Sequence, residues 1–212
     1  MAGFKTFVAG AVLTAADLNG YLMTQSVPVF TNEAARNAAI TAPTKGMVAY
    51  LTASTVPAAT GDTNTAVPTG ITTIYNGAAW VCVTEVFGHT LTQGSTSSTS
   101  YTTTLASGGT NPTVTISTGT TAMITISCEH TNSLNTMSNR LSVSVSGATT
   151  LAASDNFCVF NNIITAGSQL CLNASFILTG LTAGSNTFAI SYKTTGNTAS
   201  YGNRRIIAKG VA

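Results

Sequence analysis

The chain has 212 residues, of which 7% are charged and 44% apolar, with a formal net charge of +2 and a mean hydropathy of +0.31. Its eight basic residues, Lys5, Arg36, Lys45, Arg140, Lys193, Arg204, Arg205 and Lys209, are scattered apart from one adjacent pair, which excludes the clustered basic face of a nucleic-acid binder. No uninterrupted apolar run approaches the ~18 residues of a helical span, so no membrane insertion is expected, and the polarity comes from Ser, Thr, Asn and Gly rather than from charge.

The length predicts an ordinary domain plus a smaller module. At the start, "FKTFVAGAVLTAA" carries a lone Lys, a short apolar stretch and small residues and so imitates a secretory signal, although Met1 leads us to expect an uncleaved start. In "LTAADLNGYLMTQ", Thr14 is placed to cap a helix whose third position is Asp17, with Leu18, Tyr21, Leu22 and Gln25 recurring at helical spacing. So narrow an apolar stripe must dock on something. "TNEAARNAAI" predicts a second short helix, capped by Thr31 or Asn32, with Glu33 in its first turn and Pro43 as a stop.

From residue 46 the apolar period becomes two. "GMVAYL" sets Met47, Ala49 and Leu51 on one strand face and Val48 and Tyr50 on the other. "TASTVPAATGDTNTAVPTG" has no periodicity and reads as a long loop. "ITTIYNGAAWVCV" then reads as a hairpin around Asn76-Gly77 that carries the only tryptophan. A two-residue loop pairs Thr73 with Trp80 and a four-residue loop pairs Tyr75 with Trp80. Either register sets Tyr75 and Trp80 on one face, which lacks an evident partner in its own chain.

Residues 88–112 read as a linker and first edge strand. Beyond them strands are predicted at 113–117, 122–130, 140–146, 156–160, 169–178, 186–193 and 200–211, separated by Gly- and Ser-rich turns. With a further strand near "SYTTTL", this is the pattern of an antiparallel, jelly-roll-like β-sandwich over residues 113–212. The fold class is therefore mainly β, the sandwich being preceded by a small α+β helix-and-hairpin module over residues 1–87. Outward strand positions are mostly Thr and Ser, without the charges that usually protect edges, which suggests a sandwich surrounded by copies of itself or by other subunits.

Site chemistry is sparse. The six carboxylates include only Glu129 and Asp155 within the sandwich, and nothing in the sequence brings them together. Cys128 and His130 of "CEH" share a strand face, but no further His or Cys completes a metal site at motif spacing. Cys82, Cys128, Cys158 and Cys171 each lie in a strand-like stretch and read as buried free thiols, suited to a reducing compartment. No G-x-S-x-G elbow, Walker loop or dinucleotide fingerprint occurs, and the sequon at Asn173 falls inside a strand. We therefore expect no catalytic, metal or cofactor site. Glycan contact through Tyr101, Tyr192 and Tyr201, beside Asn-rich turns, is the binding mode the sequence leaves open.

"FVAGAVLTAADLNGYLMTQSV", "VFTNEAARNAAITAPTKGMVAYL" and "IYNGAAWVCV" resemble the start of tailed-bacteriophage virion proteins of the minor-tail or fibre-like kind, particularly those of actinobacteriophages. The shared order is a short helix, an Ala-Ala-Arg helix, a Gly-Met-Val-Ala-Tyr strand and a Tyr-Asp-Gly-Ser-x-Trp hairpin. Here Asn76 stands for the usual Asp and Ala78 for the usual Ser. The likeness covers residues 1–87 and, more loosely, 178–211.

It implies a non-enzymatic virion protein assembled in the host cytoplasm. Such a protein would be a homotrimer through Leu18, Tyr21, Leu22, Tyr75 and Trp80, anchored to other virion proteins by its N-terminus, its sandwich facing a host-surface glycan. Two other readings stay open: a capsid decoration or head-fibre protein, and a secreted carbohydrate-binding or adhesin module.

Overall fold

The structure, a computed structural model, describes residues 9–17, 27–62, 67–163 and 165–212. Helix α1 is a single turn, Ala15–Asp17. It is closed as the sequence predicts: the Thr14 hydroxyl accepts from the Asp17 N–H at 3.1 Å and donates to the Asp17 carboxylate at 2.8 Å. Leu18, Tyr21 and Leu22, three of the expected subunit contacts, lie outside the described residues.

Helix α2, Glu33–Ala39, starts at Asn32, whose side chain accepts from the Ala35 N–H at 3.0 Å. It lies against a four-stranded sheet of β1 (Val29–Phe30), β2 (Val48–Leu51), β4 (Ile71–Tyr75) and β5 (Trp80–Cys82), in the order β1-β2-β4-β5. The alternation in "GMVAYL" holds, for Ala49 and Leu51 are buried while Tyr50 is exposed.

Two five-stranded sheets make the sandwich. One runs β11-β10-β13-β8-β3, with β3 Ala58–Thr60, β8 Thr113–Thr118, β10 Met137–Gly147, β11 Cys158–Ile163 and β13 Gly184–Thr194. The other holds β12-β9-β14-β6, with β6 Val86–Thr90, β9 Thr121–Asn132, β12 Leu170–Thr179 and β14 Ala199–Gly210, and β7 (Gly94–Thr96) beside β14. Leaving β3 and β7 aside, the strands pair antiparallel from the outside of the chain inwards: β6 with β14, β8 with β13, β9 with β12, and β10 with β11. That wrapping of one long folded hairpin defines a jelly roll.

Alternating positions of three of the predicted strands form its core. Ile124, Ile126 and Cys128, then Leu141, Val143 and Val145, then Phe188, Ile190 and Tyr192 are all buried.

Three strands differ from the expectation. The strand near "SYTTTL" is reduced to single bridges, Thr102 to Tyr192 and Ala106 to Ser95. The first strand of the jelly roll is instead β6, which spans the end of the expected N-terminal module and the start of the stretch read as a linker. Its alternation is hidden by Gly88, where a Cβ would lie 2.7 Å from the Thr113 carbonyl oxygen and 3.0 Å from that of Thr60. Within the predicted loop after residue 51, β3 pairs with β8, Ala59 opposite Val114. Pairing of so short an Ala-Thr segment leaves little periodic trace in sequence.

Apolar contact runs across the expected boundaries at 87/88 and 112/113. Leu51, Ile71 and Cys82 of the N-terminal lobe belong to one continuous core with Ile116, Ile126 and Ala208 of the sandwich.

Candidate functional site

The Tyr75–Trp80 hairpin takes the four-residue loop. Tyr75 pairs with Trp80, Ile74 with Val81 and Thr73 with Cys82. Asn76 sets the turn, its side-chain oxygen accepting from the N–H groups of Ala78 at 3.0 Å and Ala79 at 2.9 Å, while Gly77 takes a φ of 101°. The two rings sit 5.5 Å apart, tilted by 56°.

Above the indole, at 4.5 Å from its centroid, lies the Arg36 guanidinium of α2. Arg36 is buried and donates from Nη1 to the Thr73 hydroxyl at 3.1 Å, which in turn donates to the Ala49 carbonyl at 3.1 Å. The expectation that this aromatic face has no partner in its own chain is thus corrected. Both aromatic rings remain half-buried. Nothing in the local sequence ties Arg36 to a hairpin 37 positions away.

On the opposite face of β5, Val81 meets the end of the sandwich. A Cβ on Gly210 would fall 2.3 Å from Val81 Cγ1 and 2.9 Å from the Cys82 carbonyl oxygen. On Gly119 it would fall 2.3 Å from Asn76 Nδ2. The two glycines let the hairpin approach the backbone of β14 and of the β8–β9 turn.

Glu33 pins the next segment of the lobe. Its carboxylate accepts from the N–H of Thr55 at 3.0 Å, the N–H of Val56 at 3.1 Å, the Thr55 hydroxyl at 2.9 Å and the Ser54 hydroxyl. Burial alone would raise its pKa, but these hydrogen bonds outweigh it and hold the group at about 2.

Of the three tyrosines named for glycan contact, two are withdrawn by their burial. Tyr192 and Tyr201 are wholly enclosed, with ring centroids 5.0 Å apart. The Tyr192 hydroxyl donates to Asn111 Oδ1 at 2.6 Å and accepts from Arg204 Nη1 at 3.1 Å, whereas that of Tyr201 donates to the Lys193 carbonyl at 2.5 Å. Burial pushes both phenols well above their ordinary pKa.

Arg204, the largest fully buried side chain, also donates from Nη2 to the carbonyls of Thr92, at 2.9 Å, and Gly108. Its partners are neutral oxygens, so it ties the β7 region and the connection before β8 to the sandwich. Arg205 points the other way and is exposed, its Nε 3.4 Å from Nε2 of His89. Beside Tyr201, at 5.5 Å and edge-on, lies His130, whose two ring nitrogens have no hydrogen-bond partner. Burial lowers its pKa to about 4.

Tyr101 is the one of the three that reaches the surface, within a group of charged and aromatic side chains around Asp155. Its hydroxyl donates to Asp155 Oδ1 at 2.8 Å. Cross-strand neighbours Arg140 and Lys193 reach the same carboxylate, Arg140 Nη1 at 2.6 Å and Lys193 Nζ at 2.8 Å. Lys193 also lies 4.6 Å from the Tyr101 ring centroid, and Arg140 5.6 Å from that of Phe160, which is exposed.

The hydrogen bond from Lys193, with those from Tyr101 and Arg140, overcomes a small desolvation and holds Asp155 at about 2. This shelf offers two cations, a phenol and an aromatic edge to a polar ligand, although its charges already satisfy one another. Glu129 stands elsewhere, accepting from Asn203 Nδ2 at 3.1 Å, so the two sandwich carboxylates do not meet.

Among the described residues no group of three or more His, Cys, Asp and Glu is placed to hold a metal ion. All four cysteines are free thiols. Cys82 and Cys128 are buried as expected, and burial raises Cys82 to about 11 and Cys128 well above the usual thiol range. Cys158 is only half-buried and Cys171 is exposed, because both sit on outward positions of edge strands.

No protein-family model matches the chain, and no curated protein does. Among solved structures, it is similar to the Eiger TNF of S. frugiperda, at 11% identity over 60% of this chain and 93% of that one, with a TM-score of 0.42. The infectious bursal disease virus Gt strain structure matches at 12% identity over 67% of this chain and 43% of that one, with a TM-score of 0.41. A carbohydrate-binding module from the Cellvibrio mixtus lichenase 5A, in complex with cellotriose, matches at 12% identity over 57% and 88%, with a TM-score of 0.27. Likenesses this slight add nothing to the strand pairing, on which the fold class, a mainly β jelly-roll sandwich, rests.

Proposed function

We propose that this chain is a structural subunit of a bacteriophage virion: a non-enzymatic, trimeric, fibre- or spike-like tail appendage, attached through its N-terminal lobe and projecting its jelly roll. The observation that carries the reading is that the quoted segments resembling virion proteins, α2, β2 and the Tyr75–Trp80 hairpin, pack into one lobe on the end of the sandwich. Attachment there leaves the opposite end of the jelly roll and the Tyr101–Asp155 shelf directed away from the particle, where a host-surface glycan would be met. A surface dressed with Thr and Ser, in a chain only 7% charged, suits a protein enclosed by other subunits.

Imaging of intact particles with and without the gene for this chain tests the proposal. Tail-appendage density that disappears with the gene is the expected result. Loss of density over the capsomers would transfer the chain to the capsid-decoration reading, and purified particles that lack the chain would overturn both.

A further inference from the structure

The two lateral sides of the jelly roll are finished differently. On the β3–β6 side the chain closes its own sandwich: β3 extends one sheet, its Thr60 carbonyl approaches Gly88, and the Asp62 N–H donates to the His89 carbonyl at 2.7 Å. The other side ends in β11 and β12, of 6 and 10 residues. Among the described residues, β12 has no ladder partner besides β9, and no other backbone bond leaves residues 171–178. Every second N–H and C=O along this edge therefore points outwards unpaired.

Three features of that edge point to an occupant. First, "CVFNNI" and "LCLNASFILT" contain no charged residue, so the usual deterrent to strand pairing is absent from both edges at once. Second, the core is incompletely covered there, although β11 runs close to β12 and the Phe157 ring lies 5.6 Å from that of Phe176. Leu172, Ala174 and Phe176 point inwards yet are only partly buried, although the row beside them on β9, Ile124, Ile126 and Cys128, is completely enclosed. Third, Phe160, Leu170 and Ile177 are about half exposed along the same side.

We infer that the β11–β12 side is a subunit interface, and that its occupant is a second copy of this chain. A charged partner would strand its own charges against a surface with nothing to pair them, at a desolvation cost. The chain's own Thr-, Ser- and Asn-lined strands are neutral and supply the same alternation of small polar and apolar side chains. A formal charge of +2 sets little repulsion between copies. The inference rests on the assembly part of the proposed function and moves the contact from the Trp80 face, which Arg36 covers, to the open edge.

The test is made in solution on the full chain, so that it fails independently of the location in the particle. Light scattering at micromolar concentration, hydrogen exchange and the thiol reactivity of Cys171 are measured for the wild type and for a Ser175→Asp, Ile177→Lys variant, both substitutions being at exposed positions. The expected results are a wild-type mass above 21.5 kDa, protection of the outward-pointing amides of 171–178 as well as those paired with β9, and a slowly reacting Cys171. In the variant, association weakens on the order of tenfold or more while near-ultraviolet dichroism is retained. The wild-type exchange and thiol measurements decide the matter even if the variant does not fold.

A monomeric wild type with a freely reacting Cys171 overturns the inference. So does an oligomer whose outward-pointing 171–178 amides exchange freely, and so does a monomer whose edge becomes protected only when a different purified virion protein is added.

Discussion

The N-terminal lobe and the jelly roll are held together by different means, although each depends on a buried arginine. In the lobe, Arg36 spreads over Trp80 and holds Thr73, and Glu33 gathers the 54–56 segment, so polar side chains do much of the work around a thin apolar layer. In the jelly roll a continuous apolar core carries the fold, and Arg204 crosses it to hold backbone carbonyls from a distant connection. Charge-poor chains can still use the few charges they have as long-range ties. What joins the two regions is backbone approach at Gly119 and Gly210 and a core shared through Leu51, Ile71 and Cys82.

The largest effect is expected within the jelly roll. Arg204→Met leaves the Thr92 and Gly108 carbonyls and the Tyr192 hydroxyl without their donor, and should lower the unfolding free energy by about 4 kcal/mol in urea titration. A loss near zero would show that the 91–111 connection does not belong to the cooperative core.

Next comes the joint. Gly210→Ala forces a Cβ into Val81 and the Cys82 carbonyl, and should cost about 3 kcal/mol. Trp80 fluorescence reads the lobe and far-ultraviolet dichroism the sandwich. Because the core is shared, the two unfolding curves should coincide in the wild type, and separate transitions would break the comparison.

A smaller effect follows from pH. The folded pKa of His130, about 4, lies below its ordinary value of 6.5, so the unfolded chain binds the proton more readily and stability falls as the solution is acidified between those values. Roughly 2 kcal/mol should be lost from pH 6.5 to 4.5 on this account. Burial depresses His89 as well, with the same sign, so the His130 share is read as the slope removed by His130→Phe. Glu33 works in the same sense at lower pH. Its stabilising effect is complete above its ordinary value of 4.5 and is lost as pH falls towards about 2. An unchanged slope in His130→Phe would assign the dependence elsewhere.

The smallest effect belongs to the lobe. Glu33→Gln replaces one accepting oxygen with an amide, and should cost about 1 kcal/mol at neutral pH, with the 54–56 amides exchanging faster.

Long alternating strands such as 122–130, 140–146 and 186–193 were legible because each buries a whole face, and alternation follows directly from the pleat. Helix starts at Thr14 and Asn32 were legible because capping is local chemistry between residues three apart. β6 and β3 were not, since Gly88 and the Ala-Thr run contribute close backbone approach rather than side-chain pattern. At Tyr192 and Tyr201 the sequence left glycan contact open beside ordinary strand packing. Their hydroxyls are instead satisfied inside the core by Asn111, Arg204 and main-chain carbonyls far away in sequence.

By itself the sequence determined a mainly β, antiparallel protein with little charge, two capped helix starts and a hairpin setting Tyr75 beside Trp80, because period, capping and turn chemistry act over a few residues. Only the tertiary structure decided that β6 opens the jelly roll and that Arg36 covers Trp80. It also decided that Arg204 is buried on neutral oxygens and that one side of the sandwich is closed while the β11–β12 edge is open. These depend on which distant segments meet, and that is fixed by packing of the whole chain rather than by any local pattern.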